Sequence, residues 1–149
     1  MWQILTNYFQ VKLTNNLSVH NKIYLIFALI WTTIVTFLCL INNNELPMPQ
    51  FEKNTDKLGH MVFHIGITSF WYLYFKHKFV NVKKALIQAF LFSFIYGILI
   101  EIAQGLFTTT RSADILDVVA NTTGAFLVVC IVMFFKKKYA CLNENTFDL

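Results

Sequence analysis

A chain of 149 residues is long enough for one compact unit and too short for two ordinary domains. Hydrophobic residues make up 56% and charged residues only 13%, which excludes a water-soluble domain of this size and makes lipid the natural solvent. The net charge of +4 gathers in two short lysine runs beside apolar segments, a membrane-orientation signal that excludes nucleic acid as a partner.

In chain order, residues 1–13 space Trp2, Leu5 and Phe9 at helical intervals, and residues 1–22 read as a cytoplasmic or interfacial segment. Residues 23–41 carry no charge and form a first span. This stretch is longer than a signal-peptide core, and Leu40-Ile41-Asn42-Asn43 offers no small-residue cleavage site, so the span is expected to be retained. Residues 58–75 contain His60 and His64 but no carboxylate or lysine. Residues 85–107 and 115–135 hold one charge each, Glu101 and Asp117. Each stretch suffices, since about 20 helical residues cross a core of roughly 30 Å. The expected fold class is all-α, a polytopic bundle of four transmembrane helices over 23–135, followed by a tail over 136–149.

The loops set the expected orientation. Lys76, Lys78, Lys83 and Lys84 join spans two and three with no acidic residue, and Lys136-Lys137-Lys138 follows span four. The segment over 42–57, which contains Pro47 and Pro49, has two lysines against three acids, and the third loop has Arg111 and Asp114. The positive-inside rule puts both termini in the cytoplasm of an inner-membrane protein. Cys39, Cys130 and Cys141 have no CxxC spacing, which argues against a disulfide framework or structural zinc.

With that topology, the intramembrane polar groups fall in layers near the non-cytoplasmic face. His60, Gln104 and Asp117 form an upper layer beneath Asp56, Arg111 and Asp114. His64, Glu101 and Asn121 form a lower one, with Glu101 and Asn121 roughly 9 Å in from their helix ends at helical rise. Within each helix the two members stand three or four residues apart and share a face.

Such groups cost several kcal/mol in lipid unless paired or hydrated. A network of this kind can simply knit helices together, with Arg111 and the histidines neutralising Glu101 and Asp117. So many costly groups on one side exceed what gluing four helices requires, which favours a functional pocket. His60 and His64 at i, i+4 resemble a metal-ligand pair that Glu101 or Asp117 could complete, but HExxH is absent and lone histidine pairs are more often packing residues, so no metal is assigned. A histidine–carboxylate pair in a wet pocket suits proton transfer near neutrality. Arg111 suits bidentate binding of phosphate or carboxylate, or else pairs with Asp114 three positions on. Ser112 reads as a turn residue or helix N-cap. Gly97, Gly105 and Gly124 read as points of close helix approach. No P-loop or GxGxxG occurs, and no cofactor is expected.

Three blocks, taken together, resemble the VanZ-like family. They are Asp56-Lys57-Leu58-Gly59-His60, then Glu101-Ile102-Ala103-Gln104, then the run from Arg111-Ser112-Ala113-Asp114 through Asp117 and Asn121-Thr122-Thr123-Gly124-Ala125. The family often has a further glycine shortly after that last motif, where this chain has Phe126-Leu127-Val128. The resemblance implies a bacterial envelope membrane protein, a link to teicoplanin susceptibility, and site residues at Asp56, His60, Glu101, Gln104, Arg111, Asp117 and Asn121.

The combined expectation is a pocket open to the outer leaflet that binds or acts on an anionic envelope lipid or lipid-linked cell-wall precursor. His60, Glu101 and Asp117 would carry the chemistry, while Asp56, Gln104, Arg111, Asp114 and Asn121 would bind. The alternative is a non-catalytic membrane factor with a structural polar network. A proton-coupled transporter ranks lowest, because the inner half offers only hydroxyls and Gln88.

Overall fold

In a computed structural model the chain is four helices: α1 (Trp2–Leu40), α2 (Lys53–Lys78), α3 (Val82–Phe107) and α4 (Ile115–Glu144). The structure describes residues 2–41, 53–79, 81–108 and 113–144, with side chains over 19–41, 55–79, 81–108 and 113–138. The proline-bearing first loop, Cys141, Arg111 and Ser112 lie outside the described side chains. The all-α expectation holds.

Two helix starts follow from local chemistry. The Asn81 side chain accepts from the Lys83 and Lys84 backbone N–H groups, an N-cap that opens α3. Asp114 opens α4 in the same way, its Oδ1 accepting from the Leu116 N–H at 2.9 Å while its carbonyl accepts from Asp117. Helix α1 continues unbroken from the segment expected at the interface into the first span.

Among the described residues, three stretches are long and apolar enough to cross a membrane: Val19–Leu40, Val82–Phe107 and Ile115–Lys138. Helix α2 is as long as α3 but more polar, since it carries both buried histidines and Thr68. It packs against each of the other three helices, whereas α1 and α4 make no close approach among the described residues. The central helix can carry the polar groups because its neighbours shield them.

Small residues set the spacing, as lipid supplies little hydrophobic drive between helices. Ala28, Ala85, Ala89 and Ala125 are fully buried at the contacts. A Cβ at Gly124 would strike the Met61 carbonyl oxygen, so α4 meets the α2 backbone directly. The apolar core is drawn chiefly from α1, α2 and α3, around Val35, Ile67, Trp71 and Leu86. Exposed Phe37, Leu99, Leu106 and Phe134 face outward, as lipid contact requires.

Candidate functional site

The polar residues gather where the N-termini of α2 and α4 meet the C-terminus of α3. Asp56, Lys57 and His60 sit in the opening turns of α2, Glu101 two turns before the end of α3, and Asp117 and Asn121 in the first two turns of α4. Four of these side chains are buried: His60 is 2% exposed, Glu101 3%, Asp117 7% and Asn121 1%. Burial of this degree is what makes ionisable groups costly, and hence informative.

His60 Nδ1 stands 3.5 Å from Glu101 Oε1. Asn121 Nδ2 donates to that same oxygen at 3.4 Å. The second carboxylate oxygen, Glu101 Oε2, is buried with no hydrogen-bond partner among the described residues, and Asn121 Oδ1 is likewise unmatched. Buried acceptors are rarely left open, so two of them on one contacting pair of side chains single this cluster out from ordinary packing.

At the same end of the bundle, Lys57 Nζ donates to Asp117 Oδ1 at 3.0 Å and to Asp114 Oδ2 at 3.1 Å. The Asp117 hydrogen bond, followed by that to Asp114, holds the Lys57 ammonium above the ordinary lysine range despite partial desolvation. Asp114 thus has two tasks, capping α4 with one oxygen and binding Lys57 with the other. Lys57 belongs to the first motif block, but its place between two carboxylates of α4 required the tertiary structure. The available signal was the lysine at the very edge of a span, three residues before a buried histidine.

The two expected layers combine differently in space. Glu101 and Asn121 join His60, whereas His64 turns deeper, sharing a 2.8 Å hydrogen bond with Ser93 Oγ and lying 5.9 Å from the Tyr96 ring. Tyr96 continues inward through its hydroxyl to Thr36 at 2.8 Å. Gln104 is buried but donates to the Cys39 carbonyl at 3.0 Å, tying α3 to α1. Gly97 separates the two histidine settings, since a Cβ there would lie 3.0 Å from His64 Cε1 and 3.2 Å from Asn121 Cβ.

Among the described residues, one group could hold a metal ion, and it joins His60 to two aspartates, not to His64. One ligand atom from each of Asp56, His60 and Asp117 lies within 4.8 Å of the others. Beside this end, a shallow apolar groove of about 400 Å³ runs along the outer surface of α3 and α4, past Phe94, Ile115, Val118, Thr122 and Phe126. Its upper edge at Ile115 is only two residues from Asp117 in sequence.

A search of curated proteins and a search of solved structures each return no match. A family model described as VanZ/LLP1 matches residues 1–136, which takes in every residue of the cluster. On that match, and with its polar residues gathered at one end of an apolar bundle, the chain belongs to the VanZ/LLP1 family.

Proposed function

We propose that all four helices cross the cytoplasmic membrane with both termini inside, and that the polar cluster opens to the outer leaflet, where it binds or acts on an anionic lipid headgroup or lipid-linked precursor. The observation that carries this is Glu101, a 3%-exposed carboxylate with one oxygen beside His60 and the other unmatched among the described residues. A group so costly to bury is expected where a ligand completes it.

The roles follow from chemistry. Lys57 and Arg111 supply positive charge for a phosphate, the former at a fixed point and the latter with a bidentate fork. His60, paired with Glu101, transfers a proton to or from a headgroup oxygen. Asn121 holds the Glu101 carboxylate, and Asp114 and Asp117 hold Lys57. The apolar groove beside Ile115 suits an acyl or polyprenyl chain lying along α4. An effect on teicoplanin susceptibility is a narrower proposal that rests on the family resemblance.

Native mass spectrometry of the detergent-released chain tests this, comparing wild type with His60→Ala and Arg111→Ala. An anionic lipid carried by the wild type and lost from folded variants supports the proposal. An identical lipid complement in all three sinks it. The competing structural reading has its own observation, the Lys57 bridge from α2 to α4. It predicts that cluster substitutions act only through loss of folded protein.

A further inference from the structure

The charge balance of the cluster poses a problem for any anionic ligand. Among the described residues, four carboxylates, Asp56, Glu101, Asp114 and Asp117, converge with one ammonium, Lys57. Even with Arg111 counted beside Lys57, these carboxylates outnumber the cations, and carboxylates this close to a phosphate repel it unless a further cation intervenes.

Three potential ligand side chains converge there. Asp56 and His60 are four apart on α2 and share a face, and Asp117 meets them from the first turn of α4. Their ligand atoms lie within 4.8 Å of one another, and two of the three residues are buried. Donors around a tetrahedral zinc ion stand about 3.4 Å apart, so side-chain adjustments of roughly an ångström would close the set. Surface carboxylates often cluster with no ion between them; a histidine 2% exposed and an aspartate 7% exposed do not fit that description.

A second, independent feature points the same way. Glu101 is within electrostatic reach of both Asp117 and Asp56; the Asp114 backbone N–H and the Asn121 amide bear on its carboxylate, and its buried Oε2 still has no partner at hydrogen-bond distance among the described residues. Metal-bound histidines usually have a carboxylate against the other ring nitrogen. Glu101 Oε1, 3.5 Å from His60 Nδ1, stands in that position when Nε2 is the ligand.

We infer that Asp56, His60 and Asp117 form a site for a divalent ion of the zinc or manganese type, with Glu101 supporting it. This deepens the headgroup reading, on which it rests for its purpose: the ion would bridge the acidic cluster to a headgroup phosphate, with His60 then serving as its ligand in place of the proton carrier assigned above. One imidazole with carboxylates suits such ions better than the all-oxygen shell preferred by magnesium or calcium. Lys57, bound to Asp117 Oδ1, would leave that residue's other oxygen for the ion and oppose it electrostatically.

The test uses the full chain in detergent, stripped with chelator and dialysed against Zn²⁺ or Mn²⁺ alone, with bound metal quantified. One ion per chain is expected. Affinity should fall at least about tenfold in His60→Ala and Asp117→Asn, equivalent to roughly 1.4 kcal/mol. It should rise severalfold in Lys57→Met, a gain that a purely structural lysine would not give. Replacing the exposed His20 and His77 together should change nothing. Binding no stronger than that of His60→Ala, or binding lost with His20 and His77, overturns the site. If the cluster variants do not fold, Co²⁺ added to the wild type decides. Ligand-field bands displaced by Zn²⁺ support the site, and the spectrum of free aqueous cobalt overturns it. The stripped protein is also scored for anionic lipid. Lipid retained in a chain that takes up no ion sinks the metal and spares the headgroup reading, whereas an ion held by a chain that never retains lipid does the reverse.

Discussion

His60 and His64 stand one helical turn apart on the same helix, 2% and 1% exposed, yet their surroundings differ in kind. His64 meets neutral groups, the Ser93 hydroxyl and the Tyr96 ring, and its polar chain ends in threonines. His60 meets Glu101, Asp56 and Asp117, in a setting that leaves acceptor oxygens unmatched among the described residues. Burial alone therefore does not distinguish architecture from chemistry. What separates them is the balance of donors and acceptors, because a buried acceptor oxygen left without a partner is a standing cost.

The largest expected effect would erase the contrast altogether. Gly124→Val drives a side chain into the Met61 carbonyl, which as backbone cannot move aside, and should cost about 3 kcal/mol or more. Both histidines then lose their setting. Monodisperse yield and melting temperature in detergent report this, and near-wild-type values would show that α2 and α4 are not so closely packed.

The contrast sharpens with Glu101→Gln. Removing the buried charge should lower lipid retention at least about tenfold, or roughly 1.4 kcal/mol. Thermal stability should stay level or rise, as is common when a strained functional group is neutralised. A fall in stability matching the loss of lipid would put His60 in the same class as His64.

Ser93→Ala probes the other side. His64 loses its hydroxyl partner and keeps a buried ring nitrogen unsatisfied, costing about 1–3 kcal/mol. Lipid retention in the folded fraction should not change. Loss of binding without loss of stability would extend the site one turn deeper.

The smallest effect concerns pH at the mouth. The Lys57 pKa is raised in the folded chain, first by its hydrogen bond to Asp117. Its contribution to stability is thus fully present below the ordinary lysine value of 10.5 and is lost as pH rises through the higher folded value. Thermal melts of wild type against Lys57→Met should therefore diverge least above that range. A difference that persists at the highest pH would mean that the aliphatic stem, not the charge, joins α2 to α4.

The sequence by itself determined the fold class, the apolar helices and the end of the bundle at which polar residues collect. These follow from composition and from the length of uncharged runs, which are local properties. It also nominated His60, Glu101, Asp117 and Asn121, because charge inside a span is conspicuous whatever the fold. Depth counted along each helix placed Glu101 with His64, an arrangement that treats the helices as aligned rods. Only the tertiary structure gave Glu101 to His60, His64 to Ser93 and Gln104 to the Cys39 carbonyl. It alone put Lys57 between Asp114 and Asp117, residues 57 and 60 positions away. Those pairings depend on how each helix is rotated and shifted against its neighbours. Contacts such as Gly124 on Met61 set that relation, and no periodicity within a single helix encodes it.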